Sequence, residues 1–198
     1  MVHQLRLLRV HGARRVVLCV GYLGDQIEAA IGDGQWLDLE VAYSYDSPQL
    51  DGTAGALRGA LSLLGPEFLV LYGDTYLRID YAEVLRSFRA SGLPALMTVL
   101  RNERRWDRSN AVYEDGRVTA YDKSSPTPQM QWIDYGLGAM RASVFDAFPD
   151  AVGDLADVYR ELAARDQLAG YEATKRFYEI GTPEALAETD AWLRSQRS

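Results

Sequence analysis

Short apolar runs alternate with stretches of helical periodicity in the first half of the chain. Residues 16–20 and 68–72 are unbroken apolar runs, typical of strands buried on both faces, and residues 39–45 alternate between apolar and polar side chains as a strand does. Helical spacing of apolar residues is found in residues 4–11, 23–31 and 54–64. Because strand and helix alternate, the pattern predicts right-handed crossovers and a largely parallel sheet with helices on both faces.

The pattern changes in the second half, where an antiparallel excursion is inserted. Residues 110–113 and 117–121 flank the tripeptide Glu-Asp-Gly, and its Asp-Gly step favours the backbone of a tight hairpin. Thr182 as N-cap and Pro183 in the first turn open a last helix. Further helices are predicted at 81–91 and 155–164, and further strands at 95–100, 132–140 and 177–180. The predicted fold class is therefore α/β: a Rossmann-like, mainly parallel sheet flanked by helices, with an antiparallel hairpin insertion.

Composition is that of an ordinary globular protein and disfavours several functional classes. The 198 residues fit a single domain, residues 1–198, with 47% hydrophobic and 25% charged residues. A formal net charge of −7 opposes binding to nucleic acid, and no apolar run approaches the roughly 18 residues that cross a bilayer. Arginines interrupt the first apolar residues, so no signal segment is recognised and a cytoplasmic protein without membrane contact is expected.

Cys19 is the only cysteine of the chain, and it lies inside the apolar run 16–20. One cysteine can build neither a disulfide framework nor a cysteine metal cluster. We therefore predict that Cys19 is a buried strand residue.

The apolar run 68–72 ends abruptly at Gly73 and Asp74. In open α/β sheets, ligands bind beyond the carboxyl ends of such strands, where the carboxylate of Asp74 would be useful for holding a metal ion. The alternative is that Gly73 and Asp74 only form a turn in which Asp74 caps backbone amides. Residues 51–57 (Asp-Gly-Thr-Ala-Gly-Ala-Leu) run into a helix, so a nucleotide base or phosphate can approach their backbone; tight packing of that helix on the sheet is the alternative.

Six short motifs follow one another along the chain. They are Gly-Tyr-Leu-Gly-Asp-Gln-Ile at 21–27, Gly-Thr-Ala-Gly-Ala-Leu at 52–57, Gly-Asp-Thr at 73–75, Asp-Lys at 122–123, Asp-Tyr-Gly-Leu at 134–137 and Glu-Ile-Gly-Thr-Pro-Glu at 179–184. Each is weak alone, but in this order they span essentially the whole chain, which resembles the sugar-1-phosphate nucleotidylyltransferases. The resemblance is nearest to the heptose- and muramate-1-phosphate branch of that family.

The resemblance implies a role for each matching position. The nucleotide would be contacted by Gly52, Thr53, Gly55 and Gly73. The catalytic pair that holds Mg²⁺ would be Asp74 and Glu179, although the family usually has Asp at the second position. The sugar phosphate would be contacted by Asn110, Asp122, Lys123, Tyr135 and Gly136. From the residues alone, other roles stay open: a strand end for Asn110, an exposed charged pair for Asp122 and Lys123, and a core position for Tyr135.

The implied reaction joins a nucleoside triphosphate to a sugar 1-phosphate. A sugar-phosphate oxygen attacks the α-phosphorus and pyrophosphate leaves in line, so positioning and charge neutralisation carry catalysis and no protein nucleophile is needed. Two other classes stay open: a non-catalytic nucleotide- or sugar-binding subunit, and a nucleotide-sugar-dependent glycosyltransferase. The second is disfavoured because such enzymes commonly carry Asp-x-Asp after the metal-bearing strand, where this chain has Asp-Thr-Tyr at 74–76.

One family feature has no counterpart in the sequence. Family members begin with a strand that leads into a glycine-rich Leu-x-Gly-Gly-x-Gly-Thr-Arg-Leu loop and a lysine, which bind the triphosphate. We therefore expect an N-terminally truncated chain with impaired activity. In the family, that strand lies between the strands that correspond to residues 16–20 and 68–72. Its absence is expected to leave a gap that is closed by direct pairing of those strands, by a partner chain as in a homo-oligomer, or by upstream residues.

Overall fold

The structure is a computed structural model that describes residues 1–46, 52–102, 105–106, 108–148 and 153–196. Its helices are α1 (Val2–Val10), α2 (Gly24–Ile31), α3 (Gly52–Ala60), α4 (Tyr81–Ser91), α5 (Val144–Ala147), α6 (Leu155–Ala164) and α7 (Pro183–Ser195). Its strands are β1 (Arg15–Val20), β2 (Glu40–Tyr45), β3 (Glu67–Leu71), β4 (Thr75–Tyr76), β5 (Ala95–Arg101), β6 (Ala111–Glu114), β7 (Arg117–Tyr121), β8 (Trp132–Arg141), β9 (Leu168–Ala173) and β10 (Tyr178–Glu179). None of the described helices is long and apolar enough to cross a membrane.

Among the described residues, the strands form three sheets. The largest has six strands in the order β3-β8-β5-β9-β7-β6, and β6 also pairs with β8 through Ala111 and Trp132. The far end of this sheet therefore curls back on itself. Strands β1 and β2 form a separate parallel pair, and the short strands β4 and β10 form an antiparallel ribbon.

Both faces of the six-stranded sheet are covered, as the side chains of β5 show. Leu96 and Leu100 point into a core that contains residues of α4. Met97 and Val99 point into a second core, which contains residues of α6. Successive side chains of a strand point to opposite faces, so a central strand with an apolar run requires a covering layer on each side. Helix α4 supplies one layer and α6 the other.

The mixed α/β class is confirmed, but the hydrogen-bonded ladders are mainly antiparallel. Among the described strands, only β1–β2 and β5–β9 pair in parallel. The reason is the position of β8, which lies between β3 and β5 and runs antiparallel to both. Strands β3 and β5 therefore point the same way without being hydrogen-bonded to each other.

Predictions that depend on a few neighbouring residues are confirmed. The hairpin forms between β6 and β7, with Asp115 at φ 49° and Gly116 at φ 79°, the left-handed conformations that such a turn demands. The hydroxyl of Thr182 accepts a hydrogen bond from the backbone N–H of Ala185 at 3.1 Å, and Pro183 is the first helical residue of α7. Local chemistry is thus sufficient to specify these elements.

Strand β9 has no counterpart among the predicted elements, although it lies between β5 and β7 in the large sheet. Its sequence, Leu-Ala-Gly-Tyr-Glu-Ala, has a weak apolar pattern and an internal glycine, which lowers strand propensity. Tertiary packing explains the glycine, because a Cβ at Gly170 would lie 2.5 Å from the ring of Tyr113. The strand is therefore specified by its neighbours rather than by its own pattern.

An open groove separates β1 from β3. Among the described residues, β1 pairs only with β2 and β3 only with β8, so each strand has an edge without a strand partner. Val17 and Leu18 line one side of the groove, and Phe68 and Leu69 line the other. Two adjoining cavities of about 390 and 670 Å³ occupy it. The expected gap is therefore present, and the expectation that the two strands close it by direct pairing is wrong.

The groove also explains why β1 is less buried than its apolar run suggests. The side chains of Val16, Val17 and Leu18 are only partly buried, and Cys19 is exposed. The prediction of a buried Cys19 is wrong, because its thiol lines the groove, 3.7 Å from the carbonyl oxygen of Ala56, instead of lying under a covering layer. An apolar run does not ensure burial when the edge of its strand has no neighbour.

Removing the N-cap of α4 is expected to destabilise the protein measurably. The Asp80 carboxylate accepts a hydrogen bond from the backbone N–H of Glu83 at 3.0 Å, and this bond holds the pKa of Asp80 below its usual value of 3.8. Because the pKa of Asp80 is lower in the folded than in the unfolded protein, its charged carboxylate stabilises the fold. This stabilisation is fully present above the pKa of the unfolded state and is lost as the pH falls through the pKa of the folded state. Asp80→Ala is expected to lower the free energy of unfolding by about 1 kcal/mol at pH 7, and Asp80→Asn, which keeps an acceptor, by much less. Urea unfolding measures both, and equal losses would contradict the capping role.

Candidate active site

Asp74 lies in the turn that joins β3 to β4. Strand β4 pairs with β10 so that Thr75 faces Glu179, and the backbone N–H of Ile180 donates to the carbonyl oxygen of Asp74 at 2.9 Å. The side chain of Asp74 extends toward Gly181, where a Cβ would lie 3.6 Å from Oδ2 of Asp74. The structure thus brings Asp74 and Glu179, far apart in sequence, to one small ribbon.

Helix α7 holds the β10 half of this ribbon in place. The hydroxyl of the buried Thr189 donates to the carbonyl oxygen of Glu179 at 2.7 Å. The ring of Trp192 stacks on Tyr178 with 4.3 Å between centroids, and the guanidinium of Arg78 lies 5.0 Å from the Trp192 ring. Because β10 has only two residues, these contacts determine the position from which the Glu179 side chain extends.

The two carboxylates suit Mg²⁺ bound together with a substrate. Mg²⁺ prefers octahedral oxygen coordination and is usually held by one or two protein carboxylates, with phosphate oxygens and waters completing the shell. Asp74 and Glu179 can supply those carboxylates, and Gly181, without a side chain, leaves room beside Asp74. Within the described ranges, no group of three or more His, Cys, Asp or Glu side chains could hold a metal ion. Mg²⁺ binding stays a prediction, with a donor set that fits it.

Strand β8 approaches the turn after β3 through Gly136. The backbone N–H of Tyr72 donates to the carbonyl oxygen of Gly136 at 3.3 Å. Gly136 has φ 87°, and a Cβ there would lie 3.3 Å from the hydroxyl oxygen of Thr75 and 3.5 Å from the Tyr72 ring. Any other residue would be strained and would crowd the turn. The structure therefore places Gly136 beside the segment that carries Gly73 and Asp74.

Asp134 is a site residue that the sequence reasoning did not single out. Its Oδ1 accepts a hydrogen bond from the backbone N–H of Gly136 at 2.9 Å, and its Oδ2 accepts one from the hydroxyl of Tyr121 at 3.1 Å. The backbone N–H of Asp134 donates to Oδ1 of Asn110 at 3.0 Å. Asp134 thus connects two of the sugar-phosphate candidates, Asn110 and Gly136. The available indication was its place as the first residue of the Asp-Tyr-Gly-Leu motif at 134–137, an acidic residue in an otherwise mostly apolar strand pattern.

Tyr135 lies on the opposite face of β8. Its residue surface is 1% exposed, and its ring packs edge-on against Phe177 with 6.0 Å between centroids. Its hydroxyl is buried and has no hydrogen-bond partner within the described ranges, and it lies in the core that also contains Leu77 and Val84. Because side chains alternate along a strand, the structure does not bring the Tyr135 side chain together with those of its neighbours in the site. Its surroundings are those of a core residue.

Lys123 reaches the end of β3 from the loop after β7. Its ammonium group lies 5.1 Å from the centroid of the Tyr72 ring. The neighbouring Asp122 orders this loop, since its Oδ1 accepts hydrogen bonds from the backbone N–H groups of Ser124 at 2.7 Å and Ser125 at 2.8 Å. These bonds hold the pKa of Asp122 below its usual range. A lysine held over an aromatic ring at the end of a strand is well placed to bind a phosphate group.

Gly52 and Thr53 fasten the start of α3 to the start of α6. Gly52 has φ 70°, and a Cβ there would lie 2.2 Å from the carbonyl oxygen of Gly153. The Thr53 hydroxyl donates to Oδ1 of Asp154 at 3.2 Å and accepts from the backbone N–H of Leu155 at 2.7 Å. Such contacts are expected if the small residues at the start of α3 serve helix packing, which was the alternative to nucleotide binding. They also engage the Thr53 hydroxyl in two hydrogen bonds within the protein.

The larger cavity of the groove nevertheless reaches the same helix start. Its lining includes Gly52 and Thr53 from α3 and Gly73 from the turn after β3. Gly55 lines a neighbouring cavity of about 250 Å³ with residues of β2. The structure therefore brings three of the four nucleotide-binding candidates to one cavity and places the fourth at another. Residue 51, which precedes this motif, lies outside the described residues.

Tyr72 is a second site residue that the sequence reasoning did not reveal. Its hydroxyl is buried and has no hydrogen-bond partner among the described residues, and the residue lines the larger cavity. Burial raises the pKa of this hydroxyl, so it stays protonated at neutral pH. A buried unpaired donor is costly, so this hydroxyl stands out among the described side chains.

Known proteins are similar to this chain in sequence and in fold. The sequence model of the family described as "Nucleotidyl transferase" matches residues 1–116. An N-acetylmuramate alpha-1-phosphate uridylyltransferase of Neisseria meningitidis is 31% identical over 196 aligned residues, covering 93% of this chain and 82% of that protein. The chain therefore belongs to the nucleotidyl transferase family.

A relative of lower sequence identity and a solved structure are also similar to the chain. A mannose-1-phosphate guanylyltransferase of Mycobacterium tuberculosis is 26% identical, covering 98% of this chain and 55% of that protein, so the chain spans about half the length of some relatives that it matches. The crystal structure of a putative glucose-1-phosphate thymidylyltransferase from Bacillus anthracis covers 98% of this chain and 82% of its own, with a TM-score of 0.81 and 15% identity. That likeness confirms the expected nucleotidyltransferase-like α/β fold.

Proposed function

We propose that the protein transfers a nucleotidyl group from a nucleoside triphosphate to a sugar 1-phosphate, giving a nucleotide sugar and pyrophosphate. The observation that carries the proposal is the convergence of Asp74, Gly136 and Lys123 at the carboxyl end of β3, in a chain of the nucleotidyl transferase family. Substrates of α/β proteins bind beyond the carboxyl ends of the strands, so the convergence lies where the chemistry is expected. A cytoplasmic location, where nucleoside triphosphates are supplied, is part of the proposal.

The chain contributes positioning and charge. Asp74 and Glu179 would hold Mg²⁺, which when bound neutralises phosphate oxygens and orients them. Lys123 offers its ammonium group to the phosphate of the sugar. One phosphate oxygen of the sugar 1-phosphate forms a bond to the α-phosphorus while the bond from that phosphorus to the pyrophosphate oxygen breaks. No side chain has to form a covalent intermediate.

The larger cavity of the groove is the proposed nucleotide site. Its volume of about 670 Å³ lies within the usual size of ligand pockets, roughly 300–1,000 Å³. Gly52 and Gly73 let a ligand approach the backbone, and Tyr72 lines the same cavity beside Gly73. We propose UTP and N-acetylmuramate 1-phosphate as the first substrates to test, because the uridylyltransferase of Neisseria meningitidis is 31% identical to the chain.

A strand between β1 and β3 would complete the nucleotide end of the site. The two facing edges can pair with its backbone, and Val17 and Leu69 can cover its apolar side chains. We propose that such a strand, supplied upstream or by a partner chain, leads into a glycine-rich loop that binds the triphosphate. The 198-residue chain alone is then expected to turn over slowly. A non-catalytic binding subunit is the alternative for the chain alone.

Pyrophosphate release tests the proposal. The protein is incubated with Mg²⁺, UTP or GTP, and N-acetylmuramate 1-phosphate or mannose 1-phosphate, and each component is omitted in turn. The expected result is release that requires both substrates. Release from the triphosphate alone would indicate hydrolysis and would contradict the proposal, whereas saturable binding of both substrates without release would favour the subunit.

A further inference from the structure

Helix α7 buries a polar residue and leaves its apolar residues nearer the surface. Of residues 183–195, all of which the structure describes, only Thr189 is fully buried, with 4% of its surface exposed. Leu186 is 52% exposed, and Trp192 and Leu193 are partly buried. Threonine is mostly found at the surface of proteins, and a helix that docks by packing alone buries its apolar residues. The burial of Thr189 therefore indicates a role for its hydroxyl group.

The Thr189 hydroxyl binds the backbone of Glu179, to whose carbonyl oxygen it donates at 2.7 Å. A threonine hydroxyl inside a helix commonly donates to a carbonyl oxygen three or four residues earlier in the same helix. Here the acceptor lies ten residues earlier and belongs to β10. Because β10 consists of Tyr178 and Glu179 only, its ladder with β4 is too short to fix its position alone. The hydroxyl therefore joins α7 to the residue that carries the second candidate carboxylate.

The segment that leads into β10 is held to α7 by partly exposed contacts. Arg176 donates two hydrogen bonds to the carboxylate of Glu188, at 2.8 and 3.1 Å, and its guanidinium lies 4.6 Å from the centroid of the Tyr178 ring. Ion pairs that are open to water contribute little to stability, because water screens both charges. The hydrogen bond from the buried Thr189 side chain is better shielded, and it fixes Glu179 itself.

We propose that Thr189 is a positioning residue for the metal ion, whose hydroxyl holds the backbone of Glu179 where the carboxylate can bind the same Mg²⁺ ion as Asp74. The inference rests on the proposed function and deepens it. The backbone N–H of Ile180 donates to the carbonyl oxygen of Asp74 at 2.9 Å, so a shift at Glu179 also disturbs the segment that carries Asp74. Mg²⁺ demands near-ideal octahedral geometry, and its binding is therefore sensitive to small displacements of a ligand.

Binding of Mn²⁺, followed by electron paramagnetic resonance, tests the inference on the 198-residue chain without requiring turnover. Mn²⁺ takes the same oxygen ligands as Mg²⁺. Thr189→Val keeps the shape of the side chain and removes the donor, whereas Thr189→Ser keeps the donor. We expect the valine variant to bind Mn²⁺ about 10-fold more weakly than the unmodified protein, and the serine variant to bind it nearly as well.

Thr98→Val is the matched control for the loss of a buried threonine hydroxyl. The hydroxyl of the buried Thr98 donates to the carbonyl oxygen of Leu137 at 2.6 Å, in the six-stranded sheet. Thr98→Val and Thr189→Val should lower the melting temperature by similar amounts, but the control should bind Mn²⁺ with unchanged affinity. Unchanged Mn²⁺ affinity in Thr189→Val would overturn the inference, and so would an equal loss of affinity in the control.

Hydrogen exchange of the Ile180 amide gives a second readout that also applies to the unmodified protein. Saturating Mg²⁺ should slow this exchange, because the ion binds the ordered ribbon. In Thr189→Val the amide should exchange about 10-fold faster without Mg²⁺ and recover protection with it. An unmodified protein that binds Mn²⁺ while Mg²⁺ leaves the exchange unchanged would overturn the inference, even if the valine variant does not fold. Failure of the unmodified protein to bind Mn²⁺, or unchanged affinity in Glu179→Gln, would instead overturn the proposed metal role of Asp74 and Glu179.

Discussion

Joining a β-strand and a glycine-rich loop to the N-terminus of the chain is expected to raise kcat/KM for nucleotidyl transfer by about 100-fold or more. The strand would fill the groove between β1 and β3, where each buried unpaired backbone group costs about 1–3 kcal/mol. The loop would bring backbone amides and a lysine to the triphosphate. Loss of a single preorganised donor of this kind commonly lowers the rate about 100- to 1,000-fold.

Two joined proteins, each consisting of the 198-residue chain with a segment added at its N-terminus, separate the effect of the strand from that of the loop. One carries an apolar strand followed by Leu-x-Gly-Gly-x-Gly-Thr-Arg-Leu, and the other carries the same strand with alanine in place of the loop glycines. Both should protect the backbone amides of Val17 and Leu69 from hydrogen exchange, but only the first should raise the rate. Equal rates for the first joined protein and the 198-residue chain would contradict the proposal that the groove receives a strand leading into a triphosphate-binding loop.

Asp74→Asn is expected to lower kcat/KM of the joined protein by about 100-fold or more and to raise the Mg²⁺ concentration that gives half-maximal rate. The neutral amide keeps the size of the side chain but removes the charge that a hard cation prefers. Glu179→Gln should have a similar effect, because Glu179 lies in β10, which pairs with β4 directly after the turn that carries Asp74. The rate at a series of Mg²⁺ concentrations measures both quantities.

A double variant decides whether the two carboxylates share one ion. If they do, Asp74→Asn combined with Glu179→Gln should lose little more activity than either change alone, because the first change already removes the bound ion. Independent, multiplying losses would mean that the residues act separately. Asp115→Asn, far along the chain on a hairpin tip with φ 49°, is the matched control and should leave the Mg²⁺ dependence unchanged.

The parts of the fold that could be predicted are those that a few neighbouring residues determine. The Asp-Gly step gave the hairpin between β6 and β7, and Thr182 with Pro183 gave the start of α7. Strand β9 could not be found in this way, because its glycine is required by the ring of Tyr113, a residue distant in sequence. The antiparallel ladders of β8 likewise depend on which strands meet, and local pattern does not contain that information.

The candidate-site residues that could be predicted from the sequence are those that come directly after the end of a strand. Asp74 was found because an apolar run stops before it, and its proximity to Glu179 follows from the pairing of β4 with β10. Asp134 and Tyr72 were missed because what distinguishes them depends on tertiary contacts: a bulge in β8 for the first, and for the second a buried hydroxyl that has no partner in the described part of the chain. Tyr135, next to Asp134 in sequence, lies on the opposite face, which only the register of the strand determines.

The most direct test of the proposed function is ³¹P NMR of a mixture of the joined protein, Mg²⁺, UTP and N-acetylmuramate 1-phosphate. The account predicts that the signals of the triphosphate and the sugar monophosphate disappear together, and that a diphosphate diester and pyrophosphate appear in equal amounts. The Asp74→Asn protein should show this conversion at most slowly. Formation of UMP or inorganic phosphate with the sugar monophosphate left intact would contradict nucleotidyl transfer as the function of this chain.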